Sequence, residues 1–492
     1  MDGQVLSWKA QTLGEVLERQ ARERGGAEAL VTQTGRFTYQ DLFDRAKSVA
    51  GGMQAMGIGR GDHVGILMGN DEKWLSLFYG AALIGAVTVP VNTRFKAAEI
   101  EFCLKQAECK ALFYVERFLG IDFESMVSKS SNAHKALPAG RFTPVGVKSE
   151  EILLIQFTSG TTAYPKGAML THDNMLRDAW AAGSRIGIRA EDRYFNCRPF
   201  FHVAGSTLSA LMALVSGACL VTLPTFEAGA ALELMERERC TLVSGNDTLF
   251  QLLMGHPDFA RRRLSLRGGW AAAGPQTMRA IIDVLGAKHI CAAYGLSEAS
   301  PNVVMSDWRD AESLRVNGLA LPHEGVELRI ASDGEIQVRG WNVMRGYVNN
   351  PEANAKAFTA DGWLRTGDLG ELTADGRLRM VGRLKDVFRV GGENVAPAEV
   401  EEVLLAHPAV ETAQVVGVPD ARLGEVPCAY VTLKGKATEK ELLEWCKQRC
   451  ANFRVPRYLK IVDDFENIGM TASGKVQKTR LREHALREFN LQ

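Results

Sequence analysis

From Thr12 to Tyr114, windows with apolar residues at helical spacing alternate with short apolar runs, and this alternation constrains the fold more than any other feature of the chain. Residues 12 to 25 carry helical spacing behind a Thr cap. Ala29 to Thr32 reads as a strand, Gln40 to Met56 as a helix and His63 to Met68 as the next strand. Glu72 to Ile84 and Ala97 to Ala107 predict further helices, with strands at Ala86 to Pro90 and Ala111 to Tyr114. The rhythm resumes from Ala230 to Asp283. Such alternation predicts an α/β domain with a mainly parallel sheet. Gly57-Ile58-Gly59 precedes a strand and opens no helix, so a dinucleotide-binding reading of GxG fails on context.

Two later stretches break the rhythm. Residues 117 to 149 have weak periodicity and read as a variable loop region. Residues 326 to 381 hold short strands and Gly-rich turns, which predicts a small β subdomain. After Gly382-Arg383-Leu384-Lys385-Asp386 the pattern becomes that of a separate α+β domain, with helices at Pro397 to Ala406 and Glu439 to Cys450. Its strands are expected at Glu411 to Val418, Cys428 to Leu433 and Tyr458 to Val462.

The 492 residues suit about three domain-sized units. Lys and Arg total 58, as do Asp and Glu, so nothing points to nucleic acid or an anionic membrane surface as a partner. The nine cysteines are scattered without a CxxC, which fits reduced, mostly buried thiols and a cytoplasmic setting. The N-terminus lacks a basic region followed by an apolar one. The most apolar run, Leu208 to Pro224, is interrupted by Ser209, Ser216, Gly217 and Thr222 and reads as buried helix, turn and strand. No transmembrane segment is expected.

Chemistry-capable residues gather in a few segments. An apolar strand from Leu153 drops into Thr158, Ser159, Gly160, Thr161 and Thr162, with Pro165, Lys166 and Gly167 close behind. Small hydroxyl residues with Gly make a loop whose N–H groups and hydroxyls converge on phosphate oxygens, and Lys166 adds a mobile charge. The loop is not a Walker A sequence, because a Gly follows the Lys. Further on come Tyr294-Gly295-Leu296-Ser297-Glu298, then Gly362 to Asp368, then Gly382 to Asp386 running into Arg389 to Glu401, and last Thr471 to Lys478.

In this order and spacing the segments resemble the adenylate-forming superfamily, which includes acyl-CoA synthetases, firefly luciferases and the adenylation domains of peptide synthetases. The resemblance spans essentially the whole chain. It implies a large N-terminal domain (1–382) of two βα sheet subdomains plus a small β-barrel-like subdomain. A hinge (383–386, with Lys385) and a smaller mobile α+β C-terminal domain (387–492) follow. It also implies an ATP-dependent acid–CoA ligase that takes a small-molecule carboxylic acid, ATP, Mg²⁺ and coenzyme A. Thr158 to Thr162 and Lys166 would cradle the ATP phosphates. Glu298, with Thr158, would hold Mg²⁺. Gly274, Pro275, Tyr294, Gly295, Leu296 and Ser297 would line the nucleotide, Tyr294 against adenine. Asp368 would bind the ribose, Arg383 ribose or phosphate, and Lys475 the α-phosphate and substrate carboxylate. His202, Val203, Gly205, Asn246 and Ala272 would border the acyl group, and Gly391, Gly392 and Glu393 the pantetheine tunnel. A homodimer is compatible with this reading.

The chain departs from the family pattern at three places. Ala163 stands where relatives carry Gly, and Ala does not take positive φ cheaply. Ala271-Ala272-Ala273-Gly274 has fewer glycines than usual, and Asn246-Asp247 replaces an apolar residue and Pro. Asp247 has two readings, contact with a polar substrate group or a helix cap. The segment Pro199 to Thr207 offers no Asp to bind an ammonium, which disfavours an amino acid substrate. Delivery to an acyl carrier protein, luciferase-type oxidation, and a non-catalytic nucleotide-binding relative remain alternatives to CoA ligation.

Overall fold

A computed structural model describes residues 8–127, 132–158, 165–465, 468–470 and 476–491. The chain divides into two compact units, Met1–Leu328 with Val338–Leu364, and Arg329–Gln337 with Arg365–Gln492.

In the first unit the helix–strand alternation becomes two sheets. The larger has eight strands, ordered Asn302–Met305, His289–Gly295, Gly268–Ala272, Leu242–Asn246, Arg193–Asn196, Cys219–Thr222, Glu28–Val31 and Arg36–Thr38. Its inner pairings are parallel and the pair at each end is antiparallel. The other has six strands, ordered Lys166–Thr171, Ile152–Thr158, Val87–Pro90, His63–Leu67, Ala111–Tyr114 and Ala133–His134. Only its Lys166–Thr171 edge is antiparallel. The mainly parallel α/β expectation therefore holds, with antiparallel strands at the edges. Ile152–Thr158 is buried from Leu153 to Phe157, the continuous apolar run of a strand covered on both faces.

Side chains set the helix starts. Thr12 accepts the Glu15 N–H while the Glu15 carboxylate accepts the Thr12 N–H, and Thr38 with Asp41 and Thr171 with Asn174 repeat this reciprocal cap. The helices Leu13–Arg24, Tyr39–Ala55, Glu72–Leu83 and His172–Ile186 contribute to a core that also holds Leu153, Tyr194 and Trp270. Within it Trp74 packs against Phe78 and Phe200, with ring centroids 5.2 and 5.4 Å away. The expected loop region at 117–149 contains the paired strands Arg117–Phe118 and Ile121–Asp122 and the helix Phe123–Val127.

The second unit contains most of a four-stranded sheet ordered Val326–Ile330, Glu335–Gly340, Leu364–Leu372 and Leu378–Arg383. It also holds the expected α+β region, a five-stranded sheet of Phe388–Val390, Glu393–Val395, Val410–Asp420, Gly424–Leu433 and Tyr458–Ile461. Pro397–Leu405, Glu439–Lys447 and Lys478–Glu488 pack on that sheet through Val400, Leu404, Leu442, Cys446, Leu481 and Ala485. The sequence reading placed no element at Lys478–Glu488, whose buried residues are Leu481 and Ala485, too sparse for a clear apolar stripe.

All nine cysteines are free and buried or half-buried. Burial pushes the thiols up, that of Cys197 to about 12, so they stay protonated at neutral pH. Among the described residues no helix is long and apolar enough to cross a membrane.

Candidate active site

Parallel pairing puts the carboxyl ends of neighbouring strands on one rim, where open α/β sheets bind ligands. In the eight-stranded sheet that rim carries the segments after Arg193–Asn196, Leu242–Asn246, Gly268–Ala272 and His289–Gly295. His202, Asn246, Ala272 to Pro275 and Tyr294 to Glu298 are thereby brought to one side of one sheet. Asn246 is the register partner of Ala272. Gly274 precedes the helix Pro275–Asp283, with Pro275 in its first turn where no N–H is needed. The Gly274 N–H donates to Asp247 Oδ1 at 3.0 Å, so Asp247 ties two adjacent strand–helix turns together. The helix cap belongs to its neighbour: Asn246 accepts the Leu249 N–H at 3.2 Å.

His202 is half-buried, and its Nδ1 accepts the Ala204 N–H at 3.1 Å. Val203 and Gly205 are buried, and a Cβ at Gly205 would lie 2.1 Å from the Pro199 carbonyl. A π-helical turn, Ser206–Leu211, follows. The Phe201 carbonyl accepts from Gln156 Nε2 at 3.1 Å, which joins this segment to the strand that ends in Thr158.

Glu298 lies in a short 3₁₀ turn, Ser297–Ala299, directly after Tyr294, Gly295 and Leu296. Its Oε1 accepts from the Tyr347 hydroxyl at 2.8 Å, and the Thr158 hydroxyl lies 3.5 Å from the same oxygen. Lys166 Nζ sits 5.3 Å from the centroid of the Tyr347 ring. Burial, reinforced by the Glu298 carboxylate, raises the Tyr347 phenol above its ordinary value, so it is a neutral donor. The structure thus joins Thr158 and Lys166, register partners on adjacent antiparallel strands, to the distant Glu298 around a residue that sequence reasoning missed. Tyr347 falls in no segment singled out by motif, and its one sequence signal is an aromatic amid the Gly and Asn of Gly346-Tyr347-Val348-Asn349-Asn350.

A buried polar cluster supports the Glu298 turn. The Glu298 carbonyl accepts from Met344 N at 2.8 Å, and the Ser300 hydroxyl donates to the Asn342 carbonyl at 2.7 Å. The Asn302 N–H donates to Asp178 Oδ2 at 2.9 Å, and Asn302 Oδ1 lies 2.6 Å from His323 Nε2. Burial drives the Asp178 carboxyl well above its usual range and lowers His323 to about 3, so neutral forms are favoured.

In the second unit Asp368 and Arg383 are register partners across adjacent strands, and Arg383 Nε lies 3.2 Å from Asp368 Oδ1. Asp368 is buried while Arg383 is half exposed at its side chain. The Thr366 hydroxyl accepts the Asp368 N–H at 3.1 Å and donates to the Ile336 carbonyl at 2.7 Å. Gly367 takes a φ of +70° between them, a conformation that favours glycine. Lys385 is exposed in the 3₁₀ turn Leu384–Asp386. Gly391 and Gly392, at φ +60° and +98°, form the tight turn between Phe388–Val390 and Glu393–Val395, and Glu393 is exposed.

Ser159, Gly160, Thr161, Thr162, Ala163 and Lys475 lie outside the described residues. The donor set suits a hard divalent cation: a carboxylate and a hydroxyl meet at Glu298 and Thr158. Among the described residues no group of three or more His, Cys, Asp and Glu could cage a metal. A cation at Glu298 would therefore take most of its ligands from phosphate oxygens and water, as Mg²⁺ commonly does.

Two mixed α/β sheets, a rim of hydroxyl, cationic and acidic groups, and a trailing α+β region define a nucleotide-handling α/β enzyme. The family model for AMP-binding enzymes matches residues 17–348, and that for the AMP-binding enzyme C-terminal domain matches 399–475. The chain belongs to the AMP-binding enzyme family, within the adenylate-forming superfamily of the acyl-CoA synthetases. It is 36% identical to the putative acyl-CoA synthetase YngI of Bacillus subtilis (strain 168) over 98% of both chains. It is 32% identical to the mitochondrial medium-chain acyl-CoA ligase ACSF2 of Bos taurus, over 98% of this chain and 88% of that one. The crystal structure of the anthranilate CoA ligase AuaEII in complex with anthranoyl-AMP matches with a TM-score of 0.90 at 25% identity, covering 98% of each chain.

Proposed function

We propose that this chain is an AMP-forming acid–CoA ligase acting in two half-reactions. In the first, a substrate carboxylate oxygen attacks the α-phosphorus of ATP. The bond to the β-phosphate oxygen breaks, leaving acyl-adenylate and pyrophosphate. In the second, the CoA thiol loses its proton and attacks the acyl carbonyl, the acyl carbon–oxygen bond of the mixed anhydride breaks, and AMP departs with the bridging oxygen. The observation that carries this reading is the meeting of Thr158, Lys166 and Glu298 at one place.

The first step brings anions together, so charge must be offset in the transition state. Lys166 and the Thr158 to Thr162 loop steady the β- and γ-phosphates. Glu298 and Thr158 hold Mg²⁺, which when bound neutralises phosphate charge. Tyr294 and the Gly274–Pro275 turn line the adenine, Asp368 accepts from the ribose hydroxyls with Arg383 beside it, and Lys475 orients the carboxylate against the α-phosphate. His202 and its neighbours border the acyl group. For the second step, residues 387–492 rotate about Lys385, and the Gly391 to Glu393 turn guides the pantetheine arm.

An acid panel tests the reading. Purified enzyme with ATP and Mg²⁺ is expected to release pyrophosphate with at least one carboxylic acid, and added CoA to be consumed in equal amount. Lys475→Ala is expected to lower the first half-reaction by roughly 10²–10³ while largely sparing thioester formation from supplied acyl-adenylate. ATP binding without turnover across the panel would return the chain to a nucleotide-binding role. Turnover with a phosphopantetheinylated carrier in place of CoA would reassign the acceptor.

A further inference from the structure

We propose that Tyr347 is the positioning residue for Glu298, and that it also keeps Glu298 and Lys166 from collapsing onto one another. The proposal rests on the assignment of Glu298 to the divalent cation made above.

A Glu in a single 3₁₀ turn has little to fix its rotamer, and holding such a long side chain in one rotamer costs entropy. The Tyr347 hydroxyl supplies the constraint by donating to Oε1 at 2.8 Å. A carboxylate accepts at more than one site on each oxygen, so one such bond orients the group without exhausting it. Tyrosine suits this role because its ring has few rotors and the residue is only 8% exposed.

Tyr347 is braced from two directions. The Asn354 amide takes both of its backbone groups, Oδ1 accepting the Tyr347 N–H at 2.6 Å and Nδ2 donating to the Tyr347 carbonyl at 3.0 Å. On the other side, Val348 N donates to the Gly167 carbonyl, Met169 N to the Gly346 carbonyl and Arg345 N to the Met169 carbonyl, each at 2.9 Å. This short ladder fixes Tyr347 against the strand that begins with Lys166. Gly346 sits at φ +123°, and a Cβ there would lie 3.0 Å from Asn354 Oδ1.

Tyr347 also engages both charges. Lys166 Nζ lies 5.3 Å from its centroid while the hydroxyl on the same ring meets Glu298. Among the described residues no ion pair within 4.0 Å joins Lys166 to Glu298. A direct pair would satisfy both groups before ATP arrived. With each held by Tyr347 instead, the ammonium near its ring and the carboxylate on its hydroxyl, the ammonium remains available to phosphate and the carboxylate to a cation.

The test is Mn²⁺ binding to the full-length enzyme with ATP and no acid, free Mn²⁺ being read by electron paramagnetic resonance. Tyr347→Phe keeps the ring and loses the hydroxyl, and is expected to weaken Mn²⁺ binding about tenfold, near the low end for a hydrogen bond to a charged group. Its thermal midpoint is expected to stay at the wild-type value. Asn354→Ala, which frees the Tyr347 backbone, is expected to weaken Mn²⁺ binding in the same direction. Glu298→Gln serves as the reference. If it loses Mn²⁺ and Tyr347→Phe does not, the positioning role is overturned and the metal assignment stands. If Glu298→Gln binds Mn²⁺ as wild type does, both fall. A lowered midpoint for Tyr347→Phe with unchanged Mn²⁺ affinity would make Tyr347 a packing residue only and would likewise overturn the role.

Discussion

At the end of the strand Leu242–Asn246, Asn246 accepts the Leu249 N–H and Asp247 accepts the Gly274 N–H. The sequence left Asp247 open between substrate contact and helix cap, because any polar residue before a helix is a credible cap. The structure gives the cap to Asn246 and a bond across to the next strand–helix turn to Asp247, a long-range partner that local pattern cannot name. The two substitutions should therefore separate. Asn246→Ala is expected to lower stability by about 1 kcal/mol with little change in the KM for ATP. Asp247→Ala is expected to raise the KM for ATP several-fold, because it releases the Gly274 backbone expected beside the adenine. Steady-state kinetics and thermal melts of both variants decide it, and equal behaviour would remove the distinction. Tyr347 shows the same limit of sequence from the other side: its importance comes from Glu298, 49 residues earlier.

Elements were more legible than their partners. Period and caps placed the helices Leu13–Arg24, Tyr39–Ala55 and Glu72–Leu83 within a residue or two of their observed ends, since Thr12, Thr38 and Asp71 supply local starts. Nothing local said that Glu28–Val31 would pair with Cys219–Thr222 and not join His63–Leu67 in the other sheet. The helix Lys478–Glu488 was missed because its hold on the fold is polar as much as apolar. Lys478, its first residue, forms an ion pair with Glu401 and donates to the Val415 carbonyl at 2.8 Å, while Glu401 accepts the Val415 N–H at 2.7 Å. Both backbone groups of Val415 are thereby satisfied by side chains, on a strand whose ladder partner is Gly424–Leu433. Lys478→Met should leave Glu401 half-paired with only 17% of its side chain exposed, lowering stability by on the order of 2 kcal/mol. A denaturation midpoint indistinguishable from wild type would show that apolar packing alone anchors this helix.

At the scale of the whole molecule, equal numbers of acidic and basic residues make net charge a poor guide to pH behaviour, and buried groups set it instead. Burial lowers His172 to about 4 and His323 to about 3, from an ordinary 6.5. His172 Nδ1 accepts the Leu13 N–H at 3.0 Å, which requires that nitrogen unprotonated. Both folded values lie below the unfolded one, so the unfolded chain binds more protons as the pH falls below 6.5. Their stabilisation is full above pH 6.5 and is lost on acidification toward 4 and 3. Glu28, lowered to about 2 by its hydrogen bond to Arg36 and held also by Arg193, continues the loss from pH 4.5 downward. Asp178 acts oppositely: burial raises it, so its contribution is full below pH 3.8 and declines as the pH rises toward its folded value. Between pH 6.5 and 4 two histidines therefore pull against one carboxyl, each proton contributing about 1.4 kcal/mol per pH unit at full effect. Thermal midpoints measured from pH 7 to 4 should fall with acid. His172→Gln, whose amide oxygen replaces the acceptor for Leu13, should flatten that fall, and Asp178→Asn should steepen it. Parallel profiles for the wild type and both variants would place the acid sensitivity outside these buried groups.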